Sequence, residues 1–152
     1  MRARWTLVFA LSLVVGAIGL VIGAIMDPRR FHFSYLTGWL YFISIVMGAL
    51  LLLMTGYASR ARWFGALRRV AEVPAATLPL FLLLVIPTFF GLDFLYPWAS
   101  PSPQLDSEAL RIIEHRSGWM NTPFFIVRTL VWIAAFSAFA ILLVRGSFAL
   151  DR

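Results

Sequence analysis

Residues 35–57 read YLTGWLYFISIVMGALLLLMTGY, 23 consecutive positions without a charged side chain. A hydrocarbon core about 30 Å thick is crossed by roughly 20 helical residues rising about 1.5 Å each. The stretch is long enough to span a bilayer, and it lacks the strict alternation of a membrane strand. A helix satisfies every backbone group from within the segment, as lipid requires. Three more runs repeat the pattern: Trp5 to Met26, Val73 to Leu92 and Thr122 to Val144, of 22, 20 and 23 residues. Together the four hold 88 of the 152 residues, which explains a chain that is 61% apolar and only 13% charged. A soluble domain is about 45–50% apolar and about 25% charged. The sequence therefore reads as one all-α integral membrane domain over residues 1–152, with four transmembrane helices at about 5–26, 35–57, 73–92 and 122–144.

The charge balance of +6 comes from thirteen arginines and no lysine against seven acids. Clustered cations invite a nucleic-acid reading. Here the clusters stand between apolar runs, where the orientation signals of membrane proteins lie, and no nucleic-acid partner is expected. Arg2 and Arg4 precede the first run in the manner of a signal peptide. That run exceeds the usual 7–15-residue core of a signal, and Met26-Asp27-Pro28 offers no small-x-small cleavage site, so the reading is a retained helix. With the N-terminus inside, the inner segments hold Arg2, Arg4, Arg60, Arg62, Arg68, Arg69, Arg145 and Arg152, and the outer ones Arg29, Arg30, Arg111 and Arg116. Eight against four favours both termini in the cytoplasm.

The connections are unequal in length. Asp27 to Ser34 reads as a tight outer turn. Ala58 to Glu72 is a basic inner segment in which Trp63, Leu67 and Val70 recur at helical spacing. It is read either as an amphipathic helix holding the basic patch Arg60, Arg62, Arg68 and Arg69 to anionic headgroups, or as a topology signal alone. Asp93 to Asn121 is a 29-residue outer loop, opening with Tyr96-Pro97-Trp98-Ala99-Ser100-Pro101-Ser102-Pro103. Its aromatics suit a membrane interface, and Ser107 to Arg116 is expected to form a helix capped by Ser107. A loop longer than about 15 residues is usually functional or disordered, so this one is the expected docking place for a partner.

Few side chains can carry chemistry. The absence of cysteine removes disulfides, thiolate metal sites, iron–sulfur ligation and covalent c-type haem. His32 and His115 fall in connections rather than on facing helices, so they are read as surface residues and not as haem ligands. No phosphate loop, metal-ligand cluster or nucleophile–base pair is present, and neither a catalytic residue nor a metal site is expected. Arg128 stands about 9 Å inside the fourth span if Thr122 caps it and Pro123 begins it. A cation at that depth either snorkels outward and fixes the helix, or joins an anion, quinone or proton path, with Asp93 and Glu114 as expected partners.

Glu72, at the inner start of the third span, follows Arg68 and Arg69 by four and three residues. It is read as half of a solvated ion pair, or as a carboxylate passing protons at the mouth of an inner half-channel. Pro79 and Pro87 each withhold a backbone donor inside the third span, and so predict kinks that serve packing or open backbone to a cavity. Gly19 with Gly23, Ser44 with Gly48 and Ala134 with Ala138 provide small faces for close helix packing.

Several strings, taken in order, resemble one family: Ser34-Tyr35-Leu36, Met47-Gly48-Ala49-Leu50, Arg68-Arg69-Val70-Ala71-Glu72 with Thr77-Leu78-Pro79-Leu80, Tyr96-Pro97-Trp98-Ala99, and Asn121-Thr122-Pro123-Phe124-Phe125-Ile126-Val127-Arg128. They look like the N-terminal part of the quinone-binding-type membrane subunit, subunit 2, of alternative complex III, the bacterial quinol:cytochrome c oxidoreductase. The likeness covers about residues 34 to 140. It implies a non-catalytic respiratory-chain subunit without a redox centre of its own, with haem and iron–sulfur subunits as partners. It also implies a scaffold or quinone/proton-path role, with any quinone held at a subunit interface. Glu72 and Arg128 carry over by motif position as polar residues at the inner and outer ends of the bundle. Members of that family continue with further helices, so the likeness implies a truncated paralogue, a split subunit or a fragment. Two other readings stand beside it: a small self-assembling four-helix transporter or channel around Arg128, and a plain membrane anchor whose outer loop docks a partner.

Overall fold

A computed structural model describes residues 2–59, 64–101 and 106–150. Arg60, Arg62 and Trp63 of the basic segment, Gln104 of the long loop and the terminal Arg152 lie outside the described residues. Among the described residues there is no strand. Four helical stretches are long and apolar enough to cross a membrane: Thr6–Met26, Pro28–Ser59, Leu67–Phe89 and Thr122–Ser147. The chain is a multi-pass membrane protein by length and composition of these helices.

Helix α1 (Arg2–Met26) and α2 (Pro28–Ser59) are separated by Asp27 alone, so the expected turn from Asp27 to Ser34 is helix instead. Asp27 Oδ1 accepts the Arg30 N–H at 3.0 Å, and its carbonyl accepts the Phe31 N–H at 2.9 Å. Pro28 takes the first helical position, where a missing N–H removes no helical bond. This local chemistry outweighs the polarity of Arg29 and Arg30, and gives α2 a length of 32 residues. None of the described side chains of α1 is buried, and the helix packs chiefly along α2.

The third span departs most from a single helix over 73–92. It comprises α3 (Phe64–Ala76), a 3-10 turn (Leu78–Leu80), and three short helices: α4 (Phe81–Leu84), α5 (Ile86–Phe89) and α6 (Leu92–Leu95). The expected inner surface helix is not separate, since α3 runs from Phe64 directly into the span. Pro79 and Pro87 fall at the first turns of the 3-10 segment and of α5, where a proline is tolerated and a continuing α-helix is not. A third proline, Pro74, lies inside α3. Bonds tighten to i→i−3 at the breaks, as in Leu80 N–H to Thr77 O at 2.9 Å and Thr88 N–H to Val85 O at 3.0 Å. Hydroxyls take up further carbonyls: Thr77 Oγ1 donates to Pro74 O at 2.7 Å, and Tyr35 on α2 donates to Leu84 O at 2.7 Å. Lipid offers no water for such groups, so these bonds make the broken span tenable there.

The buried face nevertheless keeps its phase through every break: Ala71, Ala75, Leu78, Phe81, Val85, Thr88, Leu92 and Leu95 recur every three or four residues. From Ala71 to Val85 this stripe meets Val46, Leu50 and Leu53 of α2 and Ile133 and Ala140 of α8 (Thr122–Leu150) in one core. Two glycines permit close approaches around it. A Cβ on Gly56 would lie 2.4–2.5 Å from three ring atoms of Phe64, and one on Gly91 would lie 1.9 Å from Cδ2 of His32. His32 is therefore half-buried rather than a surface residue. Its ring stacks on Phe94 at 5.7 Å, and its Nδ1 donates to Pro28 O at 2.7 Å.

Asn121 rather than Thr122 caps α8, because its Oδ1 accepts the Phe124 N–H at 2.9 Å. Its Nδ2 donates back to Ser117 O at 3.0 Å and Gly118 O at 3.1 Å, fixing the approach of the long loop. That loop contains α7 (Ser107–His115), which begins one residue after Asp106, so Ser107 is the first helical residue and not the cap. No residue of α7 is buried. The start of the loop is pinned to α8 by the rings of Tyr96, Trp98 and Phe125, with centroids 5.3–5.5 Å apart. Burial there pushes the Tyr96 phenol above its ordinary pKa.

Candidate functional site

Three places hold polar groups against apolar surroundings. The first is Glu72, 4% exposed, at the end of the bundle that carries the arginine pair. Its Oε2 accepts Arg69 Nη1 at 3.0 Å, its Oε1 accepts the hydroxyl of Ser147, and Arg68 Nε stands within ion-pair distance of Oε1 at 3.5 Å without a hydrogen bond to it. The helical spacing predicts both arginine contacts, but the pair is not solvated at its acidic end. Only Arg69, with half its side chain exposed, remains in a wet environment. Ser147 is fully buried on α8, beyond the expected end of the fourth span at Val144. The signal for it is the phase of the buried face: Ile133, Ser137 and Ala140 are buried at spacings of four and three, and two further turns bring Ser147 to the same side.

The second place is a cavity of about 750 Å³ between α1, α2 and the broken span. It is walled almost wholly by apolar surface, from Leu20 on α1, through Phe31, Gly38, Phe42 and Val46 on α2, to Pro74, Leu80, Phe81 and Leu84. Ser34, Tyr35 and Thr77 are its hydroxyl-bearing margins. A smaller cavity of about 220 Å³ lies between α2, the loop end of the third span and α8, and Trp39 borders both. The Trp39 Nε1 donor is buried without an acceptor among the described residues. Pro79 and Pro87 line neither cavity; they break the span whose intervening turns form the wall. Glu72, Asp93 and Arg128 line neither cavity either.

The third place is Arg128, half-buried on α8. Its guanidinium carbon lies 4.9 Å from the ring centre of Trp119, 5.4 Å from Phe124 and 5.7 Å from Phe125. The expected carboxylate partners are not there: among the described residues no acid stands within ion-pair distance, and Asp93 is exposed on α6. Ring faces have replaced the acid as the attraction that holds the cation. The sequence candidates thus occupy separate sites, Glu72 with Arg68 and Arg69 at one end and Arg128 at the other. Among the described residues no group of three or more His, Asp or Glu side chains is placed to hold a metal ion. No family model matches the chain, and neither does any curated protein.

Proposed function

We propose that the chain is a non-catalytic, scaffold and quinone-path subunit of a quinol-oxidising respiratory assembly of the alternative complex III kind, set in a bacterial inner membrane with both termini cytoplasmic. The carrying observation is the apolar cavity of about 750 Å³ at the depth of the membrane-spanning helices. Ligand sites of roughly 300–1,000 Å³ with mostly apolar walls and a few polar groups suit compounds of this size and greasiness. A quinone adds carbonyl oxygens to an isoprenoid tail, and the hydroxyl of Ser34 in the cavity lining matches such an oxygen. Electrons would pass through haem and iron–sulfur partners, since this chain has no cysteine. Glu72 faces α8 rather than the cavity, and its two oxygens are taken by Arg69 and Ser147 with Arg68 within ion-pair distance, which favours bracing over proton carriage. A homo-oligomeric channel around Arg128 draws less support, because that side chain packs among rings away from the broken span.

The test is purification of the intact assembly through a tag on this chain, followed by photolabelling with a short-chain azidoquinone. Haem-bearing and iron–sulfur subunits should co-purify, and label should fall on peptides of α2 and the third span. Gly38→Leu is the informative variant: Gly38 lines the cavity and a Cβ there meets nothing within 4 Å, so a leucine is expected to occupy cavity space and block labelling. A solitary oligomer, or labelling indifferent to Gly38→Leu and Trp39→Phe, would overturn the reading.

A further inference from the structure

Arg128 carries a charge, is set among three aromatic rings, and has no acceptor among the described residues. Its contacts with Phe124 and Phe125, four and three residues earlier, turn the side chain toward the Asn121 end of α8, the direction in which helical side chains lean. The guanidinium therefore rises from its position about 9 Å along the span back toward the membrane surface. Trp119 closes over it from the loop. Ring faces attract the cation but accept none of its five N–H donors, and among the described residues no oxygen stands within hydrogen-bond reach. Below it, Val131, Trp132, Phe139 and Leu142 form an exposed apolar strip along the same helix.

We infer that Arg128 is the headgroup seat of a bound phospholipid, with the lipid phosphate on the guanidinium and an acyl chain along the strip that begins at Trp132. The phosphodiester supplies what the site lacks: two oxygens in the plane of the guanidinium fork and one negative charge. The strip supplies the tail contact that a free anion could not use. Charge complementarity and the continuity of cation and apolar strip favour a lipid over a second protein. This site is independent of the quinone reading, because the cavity and Arg128 share no residue.

Native mass spectrometry of the full chain, purified in mild detergent and titrated with phosphatidylglycerol, tests it. One tightly held lipid is expected, retained in the presence of millimolar inorganic phosphate. Diacylglycerol with the same tails should not be held. Arg128→Gln should weaken retention about tenfold, by loss of a charge-assisted bond. Arg128→Lys should lie between, having the charge without the fork. Equal retention of diacylglycerol and phosphatidylglycerol would overturn the inference, as would displacement by phosphate alone or a dimer whose formation expels the lipid. The lipid comparison on the unmutated chain decides even where Arg128→Gln does not fold.

Discussion

Replacing Ser147 with alanine removes the hydroxyl that joins α8 to the buried Glu72 carboxylate on α3. A hydrogen bond to a charged group contributes about 1.5–3 kcal/mol, and a buried site with no water to substitute lies within that range. For a chain of this size each kcal/mol moves the unfolding midpoint by roughly 2–4 °C, so Ser147→Ala is expected to lower it by about 3–12 °C. Arg69 is the contrasting case. Its bond to Oε2 is short at 3.0 Å, but half of the side chain is exposed, and exposed pairs contribute only about 0–1 kcal/mol. Arg69→Ala should therefore shift the midpoint by less than about 4 °C. Glu72→Gln should exceed both, because it removes the charge of a buried carboxylate that Arg69, Arg68 and the Ser147 hydroxyl all approach, and disrupting a buried pair costs about 3–5 kcal/mol. The assay is tryptophan-fluorescence melting of all variants in one detergent at one scan rate, since membrane-protein unfolding is often irreversible. A Ser147→Ala shift no larger than that of Arg69→Ala refutes the reasoning, because it would mean that the α3–α8 contact rests on solvent-side charge.

Gly56→Ala places a methyl 2.4–2.5 Å from the Phe64 ring, and should destabilise by about 1–3 kcal/mol. The same change in a Phe64→Ala background should be nearly silent, so a double-mutant melting cycle measures the coupling. Tyr35→Phe deletes the donor to Leu84 O and should speed amide exchange along Val85 to Gly91, read by hydrogen-exchange mass spectrometry, while α8 is unaffected. Tyr96 has its folded pKa raised by burial, so its contribution is complete below pH 10 and declines as pH rises beyond it and the unfolded chain ionises first. Alkaline melting curves of the protein should lose part of that decline in Tyr96→Phe.

Four spans are legible in the sequence because each needs only a run of about 20 apolar residues, and the composition leaves no other place for them. Their ends are less legible. Arg29 and Arg30 lower the apolar average where Asp27 and Pro28 start α2, and Asn121 outcompetes Thr122 because it can accept from Phe124 while donating to the preceding turn. The prolines announce a disturbed third span. Its division into five pieces goes with hydroxyls at Thr77, Thr88 and Tyr35 finding carbonyls, which a hydropathy reading cannot weigh. Glu72 and its two arginines follow from helical spacing, but Ser147 stands 75 residues away and needs the packing of α8 against α3 to enter. Arg128 shows the opposite error: the search for an opposite charge overlooks Trp119 and the phenylalanines, whose attraction for a cation leaves no mark as charge.

The interrupted third span also acts on height. A residue in a 3-10 turn advances about 2.0 Å and one in an α-helix about 1.5 Å. Returning Leu78–Leu80 to α-helical pitch would therefore draw everything beyond it down by about 1.5 Å relative to α2. The Tyr96–Trp98 aromatics that open the long loop travel with that segment, while Asp27 and the start of α2 do not. The three-residue turn is thus an axial spacer, setting the height of the loop's opening aromatics relative to the start of α2.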